Sequence, residues 1–392
     1  MLIRRLYVYL ILVPGLFFSS CADAPRNYNS GILGIDQINL IQTDSFTGNF
    51  NQKSTSFKTV IATGGSDILL LGTYGNQAAS FLMQFSFPLA DSIKTDLLSD
   101  ALTIDDGWVE LTKNYVFGDT LGSFNYAVYK INSSWTSIGF TSDSLNGSFL
   151  HDATDLSFNK SAFDSVTTFH IDKTYLTSEM KDYSNDIPVN GVYVVPTSGT
   201  GTVFGFGAKI TNSVTQPIIR VVVTKAGVYT DTLSFELGAD VSVLKGNLPT
   251  ADPDEIVLQS SLVGQATLAF DVSALPSNAL ITKANLILTS DTLKSVRGNS
   301  VSPSLVVFNI QDSSARLIDS TLNAVSLTLT GSGYAGLITP FVQKWLFTKQ
   351  NQGIILAPGD GLRGMEIFVF RGSTYTDKAK RPRLEITYTL KN

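Results

Sequence analysis

Hydrophobic and polar positions along this chain form short runs, separated by clusters of Gly, Asn, Asp and Ser. Such runs, with apolar and polar residues alternating in several of them, are typical of strands, and the clusters are typical of the turns between them. Helical spacing of apolar residues occurs in two stretches, Ile171–Tyr183 and Ile338–Leu346. In the second stretch we expect Thr339 to be the N-cap and Pro340 to be the first helical residue. The pattern therefore predicts an all-β protein with few, short helices.

The order of these elements occurs twice. Asp67–Leu70 and the residues after it match Glu255–Leu258 and its successors at a constant offset of 188 residues. Because a helix recurs in the same slot, duplication is favoured over chance similarity between β-rich segments. We predict two tandem antiparallel jelly-roll-like β-sandwiches, each with one short helix, at residues 35–226 and 228–392. In this interpretation Tyr229–Phe235 is the opening strand of the second sandwich.

Composition supports this fold class and limits the partners. Hydrophobic residues make up 43% of the chain and charged residues 16%, which argues against intrinsic disorder. The acidic residues are 27 Asp and only 6 Glu, and Asp favours caps and turns over helix interiors. A net charge of −5 gives no electrostatic reason to expect a nucleic acid partner.

The first residues indicate export. Two arginines precede an apolar run, Leu6–Phe18, which is followed by small residues and the single cysteine, Cys21. This arrangement resembles the signal of bacterial lipoproteins, in which the chain is cleaved before the cysteine and lipid is attached to its thiol. We expect a signal peptide at residues 1–20 and a polar tether at residues 21–34. The alternatives are an ordinary secretory signal or a membrane anchor, although the apolar run is short for a transmembrane span.

The second copy carries several motifs in a recognisable order. They are Gln265–Pro276, Ile281–Leu288, the helix with Trp345, Gln352–Ile354, and Arg381–Leu384 with Tyr388. In this order they resemble the disaggregatase-related, carbohydrate-binding-module-like domains called DNRLRE domains. The resemblance implies a jelly roll of antiparallel strands with one short helix, found on secreted and cell-surface bacterial proteins, some of which bind carbohydrate. The first copy matches less well, having Gln216–Pro217 where an Arg-Pro pair is usual.

Motifs for catalysis and for metal binding are absent from the sequence. The two histidines, His151 and His170, lie in no hydrolase or metalloprotease motif, and no cysteine remains to serve as nucleophile once Cys21 is modified. Two carboxylates would suffice for a glycosidase, but most Asp residues lie in turn-like contexts. The acidic cluster Asp252–Glu255 lacks the spacing of a known calcium loop. We therefore predict a protein without enzymatic activity, cofactor or metal.

Aromatic side chains are the remaining route to a ligand, because sugars stack on exposed rings. Trp345 lies on the apolar face of its helix, and Trp135 is also expected to pack. Trp108 differs, since Val109 and Leu111 match inward residues of the other copy and so turn Trp108 and Glu110 outward. These two residues are the candidate glycan-binding site. The alternative is that a loop or the other domain covers Trp108.

Together these expectations describe a lipid-anchored protein of the cell envelope. The membrane is reached through Cys21, and the expected location is the outer membrane, on its periplasmic or its surface face. The expected function is non-catalytic binding of a polysaccharide or another surface polymer. The alternative is a structural or assembly component of an envelope protein complex, with no glycan ligand.

Overall fold

The computed structural model describes residues 40–47, 50–199, 201–209, 215–299 and 304–390. Cys21, the predicted signal peptide and the predicted tether lie outside these residues. Within the described ranges, no helix is both long enough and apolar enough to cross a membrane.

The described residues form 22 strands and three α-helices. The strands up to the middle of the chain are β1 (Ile41–Asp44), β2 (Gln52–Lys58), β3 (Ile68–Tyr74), β4 (Gln77–Phe85), β5 (Leu102–Gly118), β6 (Tyr126–Lys130), β7 (Ser157–Phe158), β8 (Val166–Ile171), β9 (Val192–Pro196), β10 (Thr202–Gly207), β11 (Ile218–Lys225) and β12 (Tyr229–Lys245). The later strands are β13 (Glu255–Gln259), β14 (Gly264–Phe270), β15 (Ala279–Thr289), β16 (Leu305–Asp312), β17 (Leu317–Ile318), β18 (Val325–Thr330), β19 (Gly333–Leu337), β20 (Ile354–Pro358), β21 (Ile367–Arg371) and β22 (Arg383–Leu390). The helices are α1 (Asp91–Leu98), α2 (Lys173–Ser184) and α3 (Thr339–Thr348).

Strand pairing forms two antiparallel sheets, and each folds around its own apolar core as a β-sandwich. The first sheet runs β10-β3-β4-β12-β11-β5-β8-β7, and β9 joins β4 to β6. The second runs β1-β22-β15-β19-β18-β16-β20-β14-β13-β21. The predicted all-β class with tandem sandwiches is confirmed. We call the two units the first and the second sandwich.

The same pairings recur in both sandwiches. Strand β5 lies between β8 and β11, as β15 lies between β19 and β22. Strand β9 joins β4 to β6, as β20 joins β14 to β16. These recurrences agree with the predicted duplication. The first sandwich carries one helix more than predicted, because α1 lies between β4 and β5.

The opening strands of the two copies are exchanged, so the sheets do not follow the predicted limits of 35–226 and 228–392. Strands β1 and β2 pair with β22 and β14, and so they complete the second sandwich. Strand β12, predicted to open the second sandwich, pairs with β11 along its first half and with β4 along its second half. The predicted boundary near Gly227 is therefore a hairpin inside the first sandwich, and the chain passes between sandwiches at residues 59–67 and 246–254.

Helix α3 closes one end of the second sandwich. Its apolar face, including Phe341 and Trp345, is buried in the core as its spacing predicts. The predicted N-cap is wrong by one residue, because Ile338 is the N-cap and makes no side-chain cap bond. The hydroxyl of Thr339 instead accepts a hydrogen bond of 2.9 Å from the backbone N–H of Ala284 in β15. A contact between helix and sheet thus replaces the expected local cap.

An apolar cluster joins the two sandwiches. Its members from the first sandwich include Tyr115 and Phe117, and those from the second include Met365 and Ile367. At its edge the Tyr115 hydroxyl donates to Glu366 at 3.1 Å and accepts from the backbone N–H of Met365 at 2.8 Å. Because this contact is apolar and buried, the sandwiches are held against each other rather than tethered loosely.

Candidate functional site

The central strand β5 presents Trp108 and Glu110 on the outer face of the first sandwich. Successive side chains of a strand point to opposite faces of the sheet. Val109 and Leu111 are buried in the core, and Trp108 and Glu110, which alternate with them, are half-buried on the other side. Trp108 is thus on the face that its strand phase predicts.

The pairing register places one side chain from each of four other strands in line with Trp108. We call this set the outer row; from β12 to β7 it consists of Ser234, Arg220, Trp108, His170 and Phe158. Directly paired residues on the same face of a sheet lie within side-chain contact. The outer row therefore runs across the strands as one continuous line of side chains.

Hydrogen bonds fix the indole of Trp108 at the centre of the outer row. Its Nε1 donates to Glu110 Oε1 at 3.0 Å, and Arg220 Nε donates to the same oxygen at 2.8 Å. Arg220 also donates from Nη1 to Ser234 Oγ at 2.9 Å. The polar edge of the indole is thus satisfied within the protein, and the ring is held in place before any ligand arrives.

The charge of Glu110 is stabilised by the same contacts. Partial burial acts to raise its pKa, but the hydrogen bonds from Arg220 and Trp108, with the positive charge of Arg220, hold the pKa of Glu110 below its usual range. Glu110 is therefore a carboxylate at neutral pH and can accept hydrogen bonds but not donate one.

Three rings follow one another along the outer row. The ring centroids of Trp108 and His170 are 6.0 Å apart, and those of His170 and Phe158 are 5.5 Å apart. His170 Nδ1 is 2.9 Å from Asp106 Oδ1, so the imidazole is also oriented by a hydrogen bond. With strands about 4.8 Å apart, the three rings span about 10 Å of surface. This is a strip rather than a single contact point.

Carboxylates outnumber cations around the strip. Asp106 and Glu110 contact it directly, and the exposed side chain of Glu236 lies beyond Ile218, the cross-strand partner of Glu110. On this face the guanidinium of Arg220 is paired with Glu110, and the imidazole of His170 lies against Asp106. The surface therefore favours an uncharged ligand over a strongly acidic one.

Sequence reasoning identified Trp108 and Glu110 but missed Arg220, His170 and Phe158. These three residues lie on other strands, and only the pairing register places them beside Trp108. Alternation alone could have put Arg220 and His170 on an outer face, since Ile219 and Phe169 are their apolar neighbours. No local pattern identifies which outward residues become partners.

The acidic cluster near β13 is engaged in ion pairs. Lys294 Nζ lies 2.6 Å from Asp252 Oδ2 and 2.8 Å from Glu255 Oε1. Arg371 Nη1 is 3.2 Å from the same Glu255 oxygen. No group of three or more residues suited to hold a metal ion occurs among the described residues. The carboxylates of Asp252 and Glu255 are thus paired with cationic side chains of the protein.

Comparisons with known proteins assign no family to the chain. No family model matches it. No curated protein matches it either. One solved structure that it resembles is the infectious bursal disease virus VP2 subviral particle, with 10% identity, 87% of this chain and 76% of that chain covered, and a TM-score of 0.11. At that TM-score the likeness carries no argument about fold or function. The resemblance to DNRLRE domains stays a prediction from the motifs.

Proposed function

We propose that this protein is a non-catalytic, lipid-anchored protein of the cell envelope that binds an extended polysaccharide through the outer row. The observation that carries the proposal is the strip of three rings, Trp108, His170 and Phe158, on one outer face of a sandwich. A strip across several strands suits a chain-like ligand, because successive sugar units can contact successive rings.

The chemistry around the strip suits sugars. The C–H groups of a sugar ring pack on an aromatic face, and its hydroxyls require hydrogen-bond partners nearby. Glu110, Asp106 and Ser234 supply acceptors, and Arg220 supplies donors. Stacking on one indole contributes on the order of 1 kcal/mol beyond area burial. We therefore expect micromolar or weaker affinity for a single site.

The lowered pKa of Glu110 supports binding rather than hydrolysis. A glycosidase needs one carboxylic acid that is protonated at working pH, which requires a raised pKa. The pKa of Glu110 is lowered instead, and Asp106 accepts a hydrogen bond from the backbone N–H of Gly107 and faces His170. Glu110 is therefore not suited to donate a proton to a leaving sugar.

The anchoring part of the proposal rests on the sequence around Cys21, which lies outside the described residues. Lipid attachment requires the thiol, so metabolic labelling with a fatty acid is expected to mark the native protein and not the Cys21→Ser variant. Label retained in Cys21→Ser would refute the anchor.

The binding part is tested with full-length protein in a detergent that has no sugar headgroup. Affinity electrophoresis through gels containing neutral or acidic polysaccharides is expected to show retardation by at least one neutral polymer. Trp108→Ala is expected to weaken the binding severalfold. The matched control is Asn285→Ala, which alters the corresponding position of the second sandwich. If no polymer retards the protein, the structural or assembly function is favoured.

A further inference from the structure

A second surface of the first sandwich has the features of a sugar site. The connection from β6 to β7, residues 131–156, folds over the outer side of β4 and β12. There Phe140 and Leu145 pack on Leu82, Val241 and Val243 in a small apolar cluster of its own. Long connections with their own packed core are commonly functional. Because it has its own packed cluster, we call the connection of residues 131–156 the platform.

The platform encloses an open bowl of about 490 Å³, within the range of small-molecule sites. Its lining combines rings and hydroxyls and includes Ser133, Trp135, Thr136, Ile138, Phe140 and Phe149. Among the residues that the structure describes, no charged side chain lines it. The bowl therefore offers apolar contact and neutral hydrogen bonding but no charge to pair with an ion.

Trp135 is half-buried in the bowl and fixed in orientation. Its Nε1 donates to the backbone carbonyl of Asn190 at 2.8 Å, and its ring meets Phe140 edge to face at a centroid distance of 6.1 Å. As with Trp108, the polar edge of the indole is satisfied by the protein itself. The apolar ring is what remains for a ligand.

Two hydroxyls of the bowl, those of Ser133 and Thr136, are arranged to donate. Ser133 Oγ accepts a hydrogen bond from the backbone N–H of Leu150 at 2.7 Å, and Thr136 Oγ1 accepts one from the N–H of Ile138 at 3.3 Å. A hydroxyl that accepts from the backbone still has its own hydrogen to give. A ligand rich in oxygen acceptors fits this set.

We propose that the bowl is a second binding site, specific for an uncharged sugar residue. The ligand stacks on Trp135 and accepts hydrogen bonds from the hydroxyls of Ser133 and Thr136. The bowl lies outside β4 and the second half of β12, whereas the outer row lies outside β5 and β8 and reaches only the first half of β12. The two sites can therefore hold two separate segments of polymer and cross-link them. Binding in the bowl does not depend on binding at the outer row.

The test uses fluorine NMR of full-length protein labelled with 5-fluorotryptophan, in a detergent without a sugar headgroup. The chain has three tryptophans, so three resonances report on the bowl, the outer row and the buried Trp345. Each resonance is assigned by a single Trp→Phe substitution. The probes are neutral hexasaccharides of α- and β-linked glucose, N-acetylglucosamine, mannose and xylose, with oligogalacturonate as the acidic probe.

We expect at least one neutral probe to shift the Trp135 resonance saturably. Oligogalacturonate is expected to leave the Trp135 resonance unchanged, and no probe is expected to shift the Trp345 resonance. Ile138→Asp places a charge on the rim of the bowl at a residue that is 86% exposed, and is expected to weaken this binding at least tenfold. Leu121→Asp, at a 93% exposed residue outside the lining of the bowl, is the matched control and is expected to have no effect.

The outcomes separate the two sites. If no neutral probe shifts Trp135, or if Ile138→Asp leaves its shift unchanged, the bowl is not a sugar site, whatever happens at Trp108. If Trp135 responds and Trp108 does not, the bowl stands and the outer row fails as the binding surface.

Discussion

The two sandwiches pair their strands alike, yet their corresponding outer faces differ in chemistry. In the first, Trp108 lies between Arg220 and His170; in the second, Asn285 lies between Glu385 and Leu337 at the same place in the pairing. The side chain of Asn285 donates a long hydrogen bond of 3.4 Å to Glu385. The comparison teaches that the framework fixes where an outer row can form, and the side chains decide whether it can hold a ring.

Unlike the outer faces, which differ between the sandwiches, the cores depend on strands from both copies. Each sandwich needs the strand that opens the other copy, because β12 completes the first and β1 and β2 complete the second. The copies are alike in topology but not independent as folding units. Predictions can therefore test both how far the sandwiches are equivalent and how far they can be separated.

The largest effect is expected from deleting residues 1–58. The deletion removes β2, which pairs with β14 from Gly264 to Phe270, and Phe50, which is buried in the second core. We expect the second sandwich to lose its cooperative unfolding transition and its protection from protease, while residues 68–245 stay protected. Limited proteolysis with mass spectrometry measures both.

A synthetic peptide of residues 40–58 serves as the control for this deletion. Added in excess, it is expected to restore protection of the second sandwich, since it supplies both missing strands. Equal protection of the native and deleted chains, without peptide, would show that the opening strands are dispensable.

Two tryptophans allow a matched test of core against surface. Trp345 is 2% exposed, and its Nε1 donates to the buried Asn309 at 2.8 Å. Trp345→Ala is expected to lower the free energy of unfolding by about 3–5 kcal/mol. Trp108→Ala is expected to cost about 1 kcal/mol, because a half-buried outer side chain contributes little to the core. Urea denaturation measures both losses. A larger loss in Trp108→Ala than in Trp345→Ala would mean that Trp108, and not Trp345, is the core residue.

Buried carboxylates in the two sandwiches give stability opposite dependences on pH. In the first, burial raises the pKa of Glu179 to about 7, although Lys130 Nζ lies 3.8 Å away and opposes the rise. Folding then favours the protonated acid, so its contribution is fully present below about pH 4.5 and is lost as the pH rises through about 7. Glu179→Gln is expected to remove this loss and to stabilise the protein by about 1–3 kcal/mol at pH 8.

Asp319 is the counterpart in the second sandwich. The hydrogen bond from Lys344, with others from Thr321 and Asn309, lowers its pKa from the usual 3.8. Its contribution is therefore present above pH 3.8 and is lost as the pH falls through the lowered value. The measurement is the free energy of unfolding between pH 3 and pH 8. Glu179→Gln is expected to change the neutral limb of this profile, that is, its slope around pH 7. Asp319→Asn is expected to lower stability mainly above about pH 4. A neutral limb unchanged by Glu179→Gln would contradict the assignment.

The smallest effect on stability is expected from the arginines of the two outer faces. Arg220 pairs with Glu110 at 2.8 Å, and Arg383 pairs with Asp44 at 2.8 Å. Each Arg→Gln substitution is expected to cost at most about 1 kcal/mol, because partly exposed ion pairs are screened by solvent. Only Arg220→Gln is expected to weaken polysaccharide binding, by severalfold in affinity electrophoresis. Equal loss in both variants would place the ligand elsewhere.

Local patterns predicted much of the fold. Alternation in β5 was enough to turn Trp108 outward, because the period of two is a property of the strand itself. Helical spacing was enough to bury Phe341 and Trp345, and the repeated order of elements indicated two sandwiches. The same patterns placed the N-cap of α3 one residue too late, since the hydroxyl of Thr339 is taken by β15.

The sequence by itself determined the fold class, the helix in each copy and the outward face of Trp108, because each depends on residues that are neighbours along the chain. Only the tertiary structure decided which strands complete each sandwich. It also brought Arg220, His170 and Phe158 to Trp108 and shaped the bowl around Trp135. The physical reason is that strand pairing joins residues far apart in sequence. Backbone hydrogen bonds do not distinguish one strand from another, so partners are selected by packing of the whole core.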